Sequence, residues 1–436
     1  MSEHGGRGGE RDGARIVLLL PTATYRATDF VRAATGLGIE VVVASDRRQT
    51  LAATMGHRAL VVPFDRPEVA ADRIVEHAAA HPVDAVVAVD EAGVVPAALA
   101  SDRLGLAANP PDAVAATRDK AEMRRRLAAA AVPQPAYEVV DVDGDVAGAA
   151  SRVGFPCVVK AVGLSASRGV LRADTPEEVV AAAERIREVL ATADTGAEAP
   201  PDPDAPLLVE AYVPGAEVAV EGLLRRGQFE VLALFDKPDP MEGPTFTETL
   251  LVTPSRLPEE VQARIGTVAG DAAAALGLTE GPVHAEVRVD TGDGDATVAV
   301  LELAARSIGG LCSRTLRFGT GMTLEEVILR HAAGLPLEGV ERERAAAGVL
   351  MLPVPRRGVF EAVTGVEAAR SVEGIEAVEI TITPGTPVAP LPDSSRYVGF
   401  VFARGVDPAR VEATLRTAWD ALGIVVAEPP DEPEAG

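Results

Sequence analysis

PVHAEVRVDTGDGDATVAVLELAAR, residues 282–306, is the stretch on which the reading of this chain turns. Two apolar, alternating runs (282–289 and 298–306) flank the turn-rich DTGDGDAT, a pattern that predicts a β-hairpin. With the turn centred near Gly294, Glu286 falls opposite Glu302. Alternation places His284, Glu286 and Arg288 on one face, and likewise Glu302, Ala304 and Arg306. Two facing carboxylates about 5 Å apart repel by roughly 3 kcal/mol at an effective dielectric of 20. A shared proton or a cation has to resolve such a pair. Hard oxygen donors from two strands suit Mg²⁺; the competing reading leaves one glutamate in solvent on an edge strand.

Upstream, GFPCVVKAVGLSASRGV (154–170) reads as a strand ending at Lys160, a loop of Gly and Ser, and a return strand at Val170. Small residues let backbone N–H groups approach an anion, and Lys160 adds positive charge. No G-K-[ST] occurs there, so this is not a Walker loop. LLVEAYVPGAEVAVEG (207–222) is a strand, a Pro-Gly turn and a second strand, carrying Glu210 and Glu217. Arg118, Asp119 and Lys120 fall in a helical segment predicted over 112–131.

The 436 residues suffice for two to four domains. Apolar runs at 15–21, 39–45, 59–63 and 84–90, separated by Ala-rich stretches, predict a doubly wound parallel α/β layer. The first run leads into PTATYRATD rather than G-x-G-x-x-G, which argues against a nicotinamide cofactor. The expected organisation is a disordered leader (1–14), an N-terminal α/β domain (15–118), a central domain (119–336), a C-terminal α+β domain (337–427) and a disordered tail (428–436). A subdomain over about 135–212 carries ATADTGAEAPPDPDAP (191–206), whose Pro, Asp and Ala content predicts a mobile insert.

Lys+Arg 41 against Asp+Glu 65 leaves a net charge of −24, which repels nucleic-acid backbones and anionic membranes. Aromatics make up 3% of the chain, too few for a base-stacking platform. No apolar run approaches the ~18 residues of a membrane span. Two cysteines exclude a disulfide framework and fit a reducing, cytoplasmic compartment.

Taken in order, the R-D-K-x-x-M-R helix, F-P-C-V-V-K with its small-residue loop, V-E-A-Y-V-P-G-A-E and E-L-A-A-R-S-I-G-G resemble the ATP-grasp superfamily from about Asn109 to Arg306. His284 before Glu286, the segment FDKP…EGPTFTE (235–248) and the C-terminal unit make the chain similar to carboxylate–amine ligases of the L-amino-acid ligase type. The resemblance implies an α/β ATP-grasp fold behind a Rossmann-like pre-ATP-grasp domain, with 135–212 as the lid. It implies ADP-forming ligation of a small-molecule carboxylate to an amine through an acyl phosphate.

Residue by residue, the resemblance assigns Lys120 and Lys160 to ATP phosphates, beneath a loop containing Gly163, Ser165, Ser167 and Gly169. Glu210 and the backbone of Ala211, Tyr212 and Val213 meet adenine, and Glu217 meets the ribose. Glu286 and Glu302 bind magnesium, and Arg306 faces the acyl phosphate. Ala304 stands where many ATP-grasp enzymes have Asn, which removes one oxygen ligand and leaves the count at one or two Mg²⁺. His284, on the Glu286 face, is read as a substrate contact, with a structural hydrogen bond as the alternative. The remaining alternatives are a formate- or bicarbonate-using purine-pathway ligase, a biotin-carboxylase-like enzyme, or a nucleotide-binding protein without turnover. Monomer and homodimer both stay open. Cys157 reads as core, Cys312 as a packed small residue, and Arg124, Arg125 and Arg126 as a solvated helix face. His77 and His81 lack the Glu of H-E-x-x-H and read as surface residues.

Overall fold

Short apolar strands that alternate with Ala-rich helices bury best as parallel strands between two helix layers. The computed structural model describes residues 13–49, 52–192, 200–292 and 296–428. Almost all of the leader and tail, residues 193–199 of the insert, and the hairpin turn at Gly294 lie outside the described residues. Strands β1 (Arg15–Leu19), β2 (Glu40–Ser45), β3 (Ala59–Val61) and β4 (Ala85–Ala88) form a parallel sheet in the order β3-β2-β1-β4. β1 is central, so Ile16 and Leu18 enter one core while Val17 and Leu19 enter another.

The helix expected over 112–131 is two helices, Pro111–Thr117 and Lys120–Ala129. Asp119 separates them: its backbone is extended and its carboxylate accepts the Glu122 N–H at 3.0 Å, an N-cap that starts the second helix at Lys120.

Strands β5 (Tyr137–Val140), β6 (Cys157–Ala161), β7 (Val170–Ala173) and β8 (Leu207–Ala211) form a small antiparallel sheet, β5-β8-β6-β7. The helix Pro176–Thr192 covers it and buries Ile186, Val189 and Leu190. It therefore runs two residues into the stretch expected to be a mobile insert, because its apolar face persists to Leu190.

The hairpin belongs to the largest sheet. β9 (Ala216–Arg225), β10 (Gln228–Asp236), β11 (Leu250–Thr253), β12 (Gly281–Asp290) and β13 (Thr297–Ala304) form five of its eight strands. The end of the chain adds β14 (Ala346–Pro353), β15 (Gly358–Thr364), β16 (Ile375–Ile380), β17 (Pro387–Val388), β18 (Tyr397–Gly405) and β19 (Gly423–Ala427). Of these, β14, β18 and β16 extend the large sheet to β13-β12-β9-β10-β11-β14-β18-β16, and the others make a sheet of three. The join is the β11–β14 ladder, from Leu250 opposite Leu350 to Thr253 opposite Ala347. The helix Pro408–Asp420 buries Val411, Leu415 and Ala418 in the core beneath these last strands.

Candidate active site

Period-two alternation decides which side chains of the large sheet share a face. The antiparallel register of β9 and β12 sets Glu217 against Arg288, Ala219 against Glu286, and Glu221 against His284. β13 then sets Glu302 against Glu286, the pairing expected from the hairpin, with a bulge directly after Glu286. Glu217, His284, Glu286, Arg288, Glu302, Ala304 and Arg306 all line one cavity of about 260 Å³. The Pro-Gly turn before β9 lies tight against β12: Gly215 has φ +99°, and a Cβ there would sit 2.2 Å from the Val289 carbonyl oxygen.

Lys160, Glu210, Ala211, Tyr212 and Val213 close the cavity from the small sheet, and Lys120 from the start of its helix. Of the loop after β6, Ala166 and Ser167 line the cavity, with φ of +56° and +57°. Two consecutive side-chain-bearing residues in the left-handed region are strained. Gly163, Ser165 and Gly169 share that loop but do not line the cavity. Gly163 borders a second hollow, and Gly169 lies against Ala161 and Leu164.

Cations meet most of these carboxylates. Lys160 Nζ lies 2.6 Å from Glu210, whose other oxygen accepts from Arg124 Nε at 2.5 Å. Burial alone would push the Glu210 carboxyl up; Arg124 and Lys160 outweigh it and hold it at about 2. Lys120 Nζ donates to the Leu164 carbonyl at 2.5 Å and approaches Glu302 at 3.3 Å. Lys237, with 3% of its side chain exposed, contacts Glu217 at 2.6 Å and Glu286 at 3.1 Å, and pairs with Glu248. Despite burial, Lys237 and then His284 keep Glu286 well below the usual carboxylate range, whereas burial pushes Glu248 up. Arg306 pairs with Glu91, which also meets Arg118 at 2.8 Å; against its burial, the two arginines hold Glu91 at about 2.

Tyr25, Phe246, Leu251, Ile308, Cys312, Met351 and Tyr397 also line the cavity, which Glu248 joins through its pairing with Lys237. Burial raises the Cys312 thiol, which suits a packed residue rather than a nucleophile. Cys157 is buried in β6, as expected, and neither His77 nor His81 lines the cavity.

Arg124 corrects the sequence reading. It is 1% exposed, and besides Glu210 it donates to the carbonyls of Leu301 at 2.6 Å and Val300 at 3.2 Å. The signal was its spacing, four residues after Lys120 and so on the same helix face. Lys237, Glu221, Glu91 and Tyr25 were likewise not picked out from sequence. Only Glu221 carried a local cue, since it follows Glu217 by four residues on one strand face.

Carboxylates on adjacent strands, with Lys160 from the small sheet and Lys120 from a helix start on the same cavity, are the arrangement that the ATP-grasp resemblance implies. Residues 153–315 match the ATP-grasp domain model, residues 31–107 the ATP-grasp N-terminal domain, and residues 350–427 the L-amino acid ligase C-terminal domain 2. Within that class the chain resembles the L-amino-acid ligases. It is 27% identical over 278 residues to an alanine–anticapsin ligase of Bacillus subtilis, covering 61% of this chain and 57% of that one. The chain thus spans little more than half the length of that relative. The crystal structure of an L-amino acid ligase from Bacillus licheniformis superposes with a TM-score of 0.76 at 23% identity, over 96% of this chain and 100% of the other. N5-carboxyaminoimidazole ribonucleotide synthetase from Thermotoga maritima shares the fold, with a TM-score of 0.69 at 17% identity over 95% of this chain and 100% of that one. Among the described residues no helix is long and apolar enough to cross a membrane.

Proposed function

We propose that the protein is an ADP-forming ligase that joins a carboxylate to an amine through an acyl phosphate, with amino acids as the substrate class. The observation that supports this best is the meeting of Lys120, Lys160, Glu286, Glu302 and Arg306 on one cavity that apolar side chains also line. The donor set fits magnesium: Glu286 and Glu302 are oxygen donors from paired strands, each already facing a cation in Lys237 and Lys120. Magnesium held there would neutralise phosphate charge during transfer.

In this reading the backbone of Ala211, Tyr212 and Val213 receives the adenine edge and Glu217 the ribose hydroxyls. Glu210 anchors Lys160 against the phosphates, and Lys120 holds them from the helix start. A substrate carboxylate oxygen attacks the γ-phosphorus and ADP leaves. The amine then attacks the acyl carbon, phosphate departs, and an amide remains. Arg306, fixed by Glu91, offers its guanidinium where charge builds on the acyl group. Two buried, free cysteines suit a reducing cytoplasm.

The test is ADP and phosphate release over a matrix of amino-acid pairs, with bicarbonate and formate as separate arms and products weighed by mass spectrometry. Amide formation stoichiometric with ADP is expected. Turnover with bicarbonate or formate alone, or no ADP in any arm, overturns the reading.

A further inference from the structure

Glu221 is completely buried in β9, on the face that builds the cavity. A carboxylate so placed needs partners. Its Oε1 accepts from Nδ1 of His284 at 2.5 Å, whereas its Oε2 is buried without a hydrogen-bond partner. A leucine would fill the same space and leave no oxygen unsatisfied, so packing alone does not account for the glutamate. The two residues are direct cross-strand neighbours, which brings their side chains together on one face.

His284 stands differently. It lines the cavity with 12% of its side chain exposed, and its second ring nitrogen, Nε2, lies 3.9 Å from Glu286. The ring therefore bridges a fully buried carboxylate and the cavity wall next to the Glu286–Glu302 pair. An imidazole that donates through Nδ1 to a carboxylate has its plane set, and only Nε2 is left to face the cavity.

We infer that Glu221 is a positioning residue that fixes His284 so that Nε2 meets an oxygen of the carboxylate substrate. The inference rests on the ligase reading and adds to it a buried partner that touches neither substrate nor nucleotide. Glu221 acts through the ring alone. Glu221 pairs with none of Lys160, Glu210 and Glu217, the residues read as holding the nucleotide.

The experiment uses the full chain as wild type, E221L, E221Q, H284Q and the double variant E221L/H284Q, with E221M in place of E221L should the latter not fold. Steady-state ADP formation is followed with the amino-acid pair that gives the highest wild-type rate. E221L is expected to lower kcat/KM for the carboxylate substrate about tenfold or more. KM for MgATP should stay within about twofold of wild type. E221Q keeps an acceptor oxygen and should recover most of the loss. H284Q should lose as much as E221L, and the double variant should be no worse than H284Q. Wild-type kcat/KM in E221L, losses that add in the double variant, or a KM for MgATP that rises alongside overturns the role of Glu221 and leaves the ligase reading standing. Failure of the ligase reading is distinct: the wild type itself then forms no ADP with any pair. Nitrogen-15 NMR of labelled histidine supplies a readout without turnover: the hydrogen-bonded Nδ1–H signal of His284 should be present in wild type and lost in E221L. A ring without that signal in wild type overturns the inference whatever the kinetics.

Discussion

Arg124→Met should cost several kcal/mol at neutral pH and less in acid. Arg124 and Glu210 each keep only 2% of their side chains exposed, so the substitution leaves a buried carboxylate with Lys160 as its remaining cation. Two routes give the size. Removing one partner of a buried ion pair costs about 3–5 kcal/mol. Separately, a carboxyl held at about 2 rather than its ordinary 4.5 contributes about 3 kcal/mol at neutral pH. At about 2–4 °C per kcal/mol for units of this size, the melting temperature should fall by about 10 °C. The pH dependence carries a definite sign. Because the folded carboxyl is depressed, its stabilisation is complete above the unfolded value near 4.5 and fades as pH falls toward 2. Thermal or urea unfolding of both proteins between about pH 7 and pH 3 checks this: the gap between them should narrow as pH falls below about 4.5. A variant as stable as wild type at neutral pH, or a gap of constant size, refutes the argument.

Glu302→Gln should fold normally yet lower ADP release about a hundredfold or more, since one oxygen donor of the magnesium pair is lost; near-normal release at saturating magnesium removes the metal assignment. Gly309 lines the cavity, its backbone needs no glycine, and a Cβ there meets nothing within 4 Å. Gly309→Leu should therefore leave stability and KM for MgATP unchanged while excluding the bulkier substrates of the wild type, and an unaltered substrate range speaks against it. Lys237→Met strips Glu217, Glu248 and Glu286 of their common cation, so magnesium without nucleotide should raise the variant's melting temperature more than the wild type's; equal shifts would contradict this. Hydrogen exchange over residues 161–171 should slow with magnesium and a non-hydrolysable ATP analogue while β1 does not respond. A loop indifferent to nucleotide places the phosphates elsewhere.

What the sequence discloses here depends on how far apart in the chain each interaction reaches. The Glu286–Glu302 facing pair was legible because a hairpin's register follows from its turn and its alternation. Lys160, Glu210 and Glu217 were legible as members of short runs. Arg124 was not: three consecutive arginines look alike, and only the fold distinguishes buried Arg124 from Arg125, which pairs with Glu122 on an exposed face. Lys237 lies in the quoted FDKP segment, but its role was not legible there, since its carboxylate partners lie on β9, on β12 and before β11. Tyr25 lines the cavity and Glu91 pairs with Arg306 from the segments that follow β1 and β4, contacts that no periodicity within one segment encodes. The break of the 112–131 helix at Asp119 was readable in principle, as an Asp followed three residues later by Glu.

The β11–β14 ladder also imposes an order in time. Thr253 has its partner at Ala347 and Leu250 at Leu350, so one side of β11 must wait for about a hundred further residues. At the ~5–20 residues per second of protein synthesis, that wait is about 5–20 s. Throughout it the nascent chain offers Leu250, Leu251 and Val252 on an unpaired strand, the kind of edge to which a second nascent chain can bind. The residues that close the sheet are thus also the ones whose late arrival sets how long the growing chain stays vulnerable to aggregation. A ribosome that paused between β11 and β14 would lengthen that interval without changing a single contact of the finished protein.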